Sequence, residues 1–153
     1  MQSFQHVELA CAFPAPVAVV YGAFTSADQL RRWWGPAGFA VPSLEFDPRP
    51  GERYRIEMLP PDGEAFHLTG EFRDVDPPAR LAFTFAWEPP DPDDVENLVE
   101  LSFAEVRGMT TVVLTQGPFK TDARRELHRN GWTESFDRLR TLLESESTPD
   151  TTP

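Results

Sequence analysis

The chain has 153 residues, of which 25 are acidic and 14 are Lys or Arg, and its formal net charge is −11. Such an acidic surface repels phosphate backbones and anionic lipid headgroups, which argues against a nucleic acid or a membrane as partner. The single cysteine excludes an internal disulfide, and the absence of a long apolar run or a signal-peptide pattern favours a cytoplasmic protein.

The first part of the chain predicts one strand and two short helices. Apolar residues alternate with polar ones over 7–13, which indicates a half-buried strand. Two prolines then precede apolar residues at helical spacing over 17–24. The stretch SADQLRRWWGP predicts a second short helix, with Ser26 as a candidate N-cap and Gly35-Pro36 at its end.

The middle of the chain, from Phe39 to Gln116, changes to a repeat of two residues, which is typical of strands with one buried face. Short turns separate the apolar runs, and Asp62-Gly63 gives the clearest hairpin signal among them. Consecutive strands joined by short turns form an antiparallel meander, so this part predicts six further strands.

A long helix is predicted from about Thr121 onward. At about 100° per residue, one apolar stripe runs along it, formed by Trp132, Phe136, Leu139 and Leu143. The stripe stays in register across Gly131, so the helix is not expected to stop there.

Gly131 nevertheless needs an explanation, because glycine in a helix interior costs roughly 1 kcal/mol relative to alanine. One explanation is packing, in which a bulky neighbour such as Trp33 or Trp34 lies against the helix backbone. The other is that the missing side chain widens a cavity between the helix and the sheet. Both remain open from the sequence.

The apolar face of the sheet and the apolar stripe of the helix must bury each other. The sequence therefore predicts an α+β protein in which a curved antiparallel β-sheet wraps around a long C-terminal helix, with two short helices after the first strand. A single domain is expected over residues 1–144. Residues 145–153 are polar and marked by proline, which predicts a disordered tail.

Three stretches carry a resemblance to a known family: VVYGAFTSADQLRRWWGPAGF, GERYRIEMLPPDGEAFHLTGEFRDVDPPARLAFTF and GWTESFDRL. Their order and spacing resemble the helix-grip fold of the START-like (SRPBCC) superfamily, within it the branch named for the activator of heat-shock-protein-90 ATPase. The resemblance implies a cavity between sheet and helix that binds a small hydrophobic molecule. It also leaves open a co-chaperone-type accessory of a heat-shock-protein ATPase, and a cavity enzyme that cyclises or hydrolyses its ligand. Monomer and homodimer are both compatible with it.

Candidate ligand-binding residues follow from the inward faces of the strands, the last helix and the segment after the second short helix. Such a set usually forms a packed core, but a concave apolar surface with a few polar groups is also typical of small-molecule sites. The candidates are Trp34, Tyr54, Ile56, Phe72, Phe83, Phe85, Leu101, Phe103, Val113, His128, Trp132 and Phe136. Tyr54, His128 and Ser135 are the side chains expected to orient a ligand.

His128 allows two interpretations. It is either a half-exposed helix histidine or a polar anchor or general acid–base for a ligand. No carboxylate stands at a spacing that orients it, so no catalytic residue is predicted. The three histidines and one cysteine show no metal-ligand spacing, and no phosphate-binding loop is present, so neither a metal nor a cofactor is expected.

Overall fold

Seven strands and three helices follow one another in the order that the sequence predicts, in a computed structural model that describes residues 6–90, 92 and 94–147. The strands are β1 (Val7–Phe13), β2 (Leu44–Glu45), β3 (Arg53–Met58), β4 (Phe66–Asp76), β5 (Arg80–Glu88), β6 (Asn97–Val106) and β7 (Met109–Gly117). The helices are α1 (Val17–Thr25), α2 (Ala27–Leu30) and α3 (Asp122–Ser147).

All strands belong to one antiparallel sheet with the order β1-β7-β6-β5-β4-β3-β2. Strands β2 to β7 are neighbours in sequence order, which is the predicted meander, and β1 joins the sheet by pairing with the last strand. The register of β4 and β5 shifts between Phe72 and Asp74, and such irregularities bend a strand. The predicted helix-grip α+β architecture is confirmed.

The core lies between the inner face of the sheet and α3. On β3, Tyr54, Ile56 and Met58 are buried, whereas Arg53 and Arg55 are exposed and Glu57 is half-buried, as the alternation predicts. The predicted stripe of α3 is buried from Trp132 to Leu143. The hydroxyl of Thr121 accepts a hydrogen bond from Arg124 N at 3.1 Å, which satisfies an orphan donor of the first turn.

Two boundaries differ from the prediction. Helix α2 ends at Leu30, and Trp33 N and Trp34 N both bond to the carbonyl of Leu30 in the turns that follow. The predicted N-cap is present, because Ser26 Oγ accepts from Gln29 N at 3.4 Å.

Helix α3 continues to Ser147, three residues into the segment 145–153 that was expected to be disordered; residues 148–153 lie outside the described part. Among the helices of the described residues, none is long and apolar enough to cross a membrane.

Candidate ligand-binding cavity

A cavity of about 160 Å³ lies between the first half of α3 and one end of the sheet. Strands β3, β4 and β5 form one side, α3 the second, and the segment after α2 the third. Its lining is almost entirely apolar and consists of Trp34, Gly35, Pro36, Phe39, Met58, Phe66, Phe85, Trp87, Leu127, His128, Gly131, Trp132 and Ser135. Leu127, which is 53% exposed, marks the side where the cavity opens to solvent.

Aromatic rings in edge-to-face and tilted contact form a continuous wall of the cavity. Trp34 meets Trp132 with ring centroids 5.3 Å apart, and Trp132 is 6.3 Å from Phe85. Phe85 in turn meets Trp87 at 5.1 Å, and Trp87 meets Phe66 at 5.3 Å. Edge-to-face pairs of this kind are favourable beyond the area they bury, so the wall is an ordered surface suited to another aromatic ring.

Gly131 helps to make the space. A Cβ atom at this position would have only Pro36 Cγ, at 3.9 Å, within contact distance outside the helix backbone. No atom of Trp33 or Trp34 lies within 4 Å of that Cβ position, so the explanation by close packing is wrong. The missing side chain instead leaves room in the cavity.

Trp132 is fixed by a buried polar network behind the wall. Its Nε1–H donates to Gln116 Oε1 at 2.7 Å, and Gln116 Nε2 donates to Asn97 Oδ1 at 2.8 Å. Gln116 is polar but fully buried, because it lies on the inward face of β7 together with Val112 and Leu114. A buried amide is tolerated only when its donors and acceptors find partners, and this network supplies them.

His128 is 7% exposed, so the expectation of a half-exposed histidine is wrong. Trp87 Nε1–H donates to His128 Nε2 at 2.9 Å, and because an indole nitrogen can only donate, Nε2 carries no proton. His128 Nδ1 therefore donates to the carbonyl of Arg124 at 2.8 Å. Burial lowers the pKa of the imidazole, and the hydrogen bond to the Arg124 carbonyl opposes this only in part. The neutral ring is held with both nitrogens occupied.

This arrangement predicts a loss of stability in mild acid. Below the ordinary pKa of 6.5 the unfolded chain takes up a proton at His128 that the folded chain excludes until its lower folded-state pKa is reached. Within that window the free energy of unfolding falls as pH falls, by at most about 1.4 kcal/mol per pH unit. We expect urea unfolding at two pH values on either side of this window to show the loss in the wild type and a smaller loss in His128→Gln. His67→Gln, on the outer face of β4, is the control; an unchanged pH dependence in His128→Gln would contradict the account.

The segment from Trp34 to Phe39 closes the third side of the cavity and is held from outside by α3. Arg138 Nη1 donates to the carbonyls of Trp34, Gly35 and Pro36 at 3.0, 3.0 and 3.1 Å. Ala37 N donates to Glu134 Oε1 at 2.9 Å. Gly35 has φ +97°, and a Cβ there would come within 3.3 Å of Met58 and 3.2 Å of Phe39. Glycine is required there because other residues rarely adopt this φ.

Removing the guanidinium of Arg138 should loosen this segment. Arg138→Leu loses the donor shared by three carbonyls, and we expect the amides of Ala37 and Phe39 to exchange with solvent about tenfold faster, given roughly 1–2 kcal/mol for the lost bonds. Amide hydrogen exchange followed by NMR measures this. Arg129→Leu removes a donor of the same helix that bonds to Glu8 O instead and should leave both amides unchanged. Equal exchange in Arg138→Leu and wild type would show that the segment needs no clamp.

The structure brings four of the predicted ligand-binding residues to the cavity: Trp34, Phe85, His128 and Trp132. Four others, Tyr54, Ile56, Phe72 and Phe83, surround a separate void of about 10 Å³ and are packed core. The hydroxyl of Tyr54 donates to Thr84 O at 2.6 Å, so it is not free to orient a ligand. Ser135, the third candidate for that task, does line the cavity.

The remaining four candidates lie elsewhere. Leu101, Phe103 and Phe136 are buried core residues. The ring of Phe136 packs against that of Phe13, with their centroids 5.6 Å apart. Val113 is 37% exposed on the outer face of β7. Its assignment to the inner face was wrong, because Val112 and Val113 are adjacent and the inward register is set by Val112, Leu114 and Gln116.

Several cavity residues were not among the candidates. Trp87 and Met58 are on the inward faces that the alternation identifies, so the signal for them was present. Gly131 was not among the candidates, although the widening of a cavity was one of the two explanations for it. Gly35, Pro36 and Phe39 reach the cavity because the segment after α2 folds back onto α3, whereas Phe66 is on β4 and Leu127 is on α3.

Comparison with known proteins agrees with this architecture. A family model described as "Activator of Hsp90 ATPase homolog 1-like protein" matches residues 14–144. A crystal structure from Chromobacterium violaceum superposes with a TM-score of 0.85 at 24% identity, covering 95% of this chain and 99% of that chain. The AHSA1 protein of Silicibacter pomeroyi gives 0.82 at 25% identity, covering 92% and 99%. No curated protein matches the chain.

Proposed function

We propose that this chain, which belongs to the family of Activator of Hsp90 ATPase homolog 1-like proteins, binds a small hydrophobic molecule in the cavity between its sheet and α3. The observation that carries this proposal is the cavity itself, about 160 Å³ in volume, apolar and open on one side. A dry cavity of about 150 Å³ is large enough to bind benzene. The fold is one that commonly binds hydrophobic ligands.

The energetics of the site favour an apolar occupant. Each Å² of apolar surface removed from water contributes about 25 cal/mol before the entropy of association is subtracted. The aromatic wall is fixed in advance, because the indole nitrogens of Trp87 and Trp132 are bonded within the protein. A ligand therefore does not have to order the wall, which reduces the cost of binding.

Binding is favoured over catalysis by the state of the titratable groups. General acid–base chemistry needs a group that can reach the ligand with a free proton or lone pair. Both ring nitrogens of His128 are occupied within the protein. No carboxylate lines the cavity among the described residues. We assign no catalytic role to any residue of this site.

Titration with p-xylene tests the proposal, since it is an apolar ring without any polar group. In ¹H–¹⁵N NMR spectra we expect the indole N–H signals of Trp132 and Trp87 to shift with a saturable dependence on p-xylene, while that of Trp33, buried and bonded to Ala23 O, stays in place. Unchanged signals up to the solubility limit would contradict the proposal. Retention of a large ATPase by the purified protein at low salt, without p-xylene binding, would favour the co-chaperone-type role instead.

A further inference from the structure

Most polar groups around the cavity already have partners within the protein. The indole N–H groups of Trp87 and Trp132 and both nitrogens of His128 are hydrogen-bonded. The carbonyls of Gly35 and Pro36 accept from Arg138. These groups can contribute a surface to a ligand but no new hydrogen bond without breaking one of their own.

Two side-chain groups of the lining differ from these. Ser135 is 4% exposed and Trp34 is 6% exposed. Within the described part of the chain, Ser135 Oγ and Trp34 Nε1 make no hydrogen bond to the protein, and neither is among the atoms that are fully buried without a partner, so both keep some accessible surface. A hydroxyl without a protein partner bonds to water or to a ligand, so Ser135 Oγ, which lines the cavity, is available to an occupant. Ser135 follows Gly131 on α3 by about one helical turn, and both residues line the cavity, so its hydroxyl lies beside the space that the glycine leaves.

The cavity offers nothing to a charged group. Among the described residues the lining includes no Lys, Arg, Asp or Glu, and its one titratable side chain, His128, is neutral and fully bonded. A carboxylate or ammonium moved into such a site loses its hydration without gaining a counter-charge. The net charge of −11 adds a repulsion for anions.

We infer that the ligand is an uncharged aromatic molecule of one or two rings that carries one hydrogen-bonding oxygen, such as a phenolic hydroxyl, and that this oxygen binds to Ser135 Oγ. The inference rests on the proposed function and adds the chemical class of its ligand. The rings contact the wall from Trp34 to Trp87. The oxygen forms a hydrogen bond with the hydroxyl of Ser135, which can donate and accept. It can also accept from the indole N–H of Trp34.

The test compares three probes of nearly equal shape: p-xylene, p-cresol and p-toluate, which carry a methyl group, a hydroxyl and a carboxylate at the same place. Affinities are measured by NMR titration for the wild type and for Ser135→Ala. We expect p-cresol to bind about tenfold more weakly to Ser135→Ala, the equivalent of one lost hydrogen bond. The affinity for p-xylene should stay the same, and p-toluate should bind neither protein. Thr133→Val, which removes a hydroxyl bonded to Arg129 O outside the cavity, is the control.

The outcomes separate the two proposals. If p-xylene binds and Ser135→Ala leaves the affinity for p-cresol unchanged, the assigned ligand class is wrong while hydrophobic binding stands. Saturable binding of p-toluate at the same site would also overturn it. If none of the three probes binds, the proposed function fails and the ligand class fails with it.

Discussion

Gly131→Leu is expected to abolish binding of p-xylene, with at least a hundredfold loss of affinity, and to leave the protein folded. The new side chain has open space around it, because only Pro36 Cγ lies within 4 Å of the Cβ position. It occupies a large part of a cavity of about 160 Å³ and gains up to about 1 kcal/mol in helix propensity. Thermal unfolding followed by circular dichroism checks the fold, and NMR titration with p-xylene checks the binding.

Gly131→Ala is the matched control, since it restores helix propensity with a single methyl group. It should raise the free energy of unfolding by up to about 1 kcal/mol and keep binding within a few-fold of the wild type. If Gly131→Leu bound p-xylene as the wild type does, the cavity next to this glycine could not be the binding site.

Gln116→Leu is expected to lower the free energy of unfolding by about 3 kcal/mol, although leucine has a similar size and is apolar. The change leaves the Nε1–H of Trp132 and Oδ1 of Asn97 buried without the partners they have at 2.7 and 2.8 Å. Each buried group that loses its partner costs roughly 1–3 kcal/mol. Urea unfolding monitored by tryptophan fluorescence measures the loss.

A double-mutant cycle separates this network from simple packing. In a Trp132→Phe background there is no indole N–H to leave unpaired, so Gln116→Leu should cost about 1 kcal/mol less than in the wild type. Thr115→Val, next to Gln116 on the less buried face of β7, should change stability by no more than about 0.5 kcal/mol. A neutral Gln116→Leu, or equal costs in both backgrounds, would show that the network does not hold Trp132.

The fold was predictable because it depends on patterns that survive in a single sequence. Alternation identified the inward residues of β3, such as Tyr54 and Ile56, and the helical repeat identified the stripe that begins at Trp132. Both patterns measure which side of an element is apolar, and burial of that side determines how sheet and helix meet.

The cavity was predictable only in part, since the same apolar pattern serves packed core and open pocket. Phe83 and Phe85 are both inward on β5, yet only Phe85 lines the cavity beside Gly131. Phe83 instead packs against Tyr54, with their ring centroids 5.6 Å apart. The role of His128 depends on Trp87, which lies 41 positions away in the sequence. Such contacts arise from tertiary packing, which the periodicity of one element does not contain.

Native mass spectrometry of the protein purified from its own host tests the central claim most directly. We predict that the wild type carries one defined, uncharged small molecule that organic extraction releases, and that Gly131→Leu purified in the same way has the mass of the chain alone. If both proteins had the bare mass, or if both carried the same molecule, the claim that this cavity binds a small hydrophobic ligand would be contradicted.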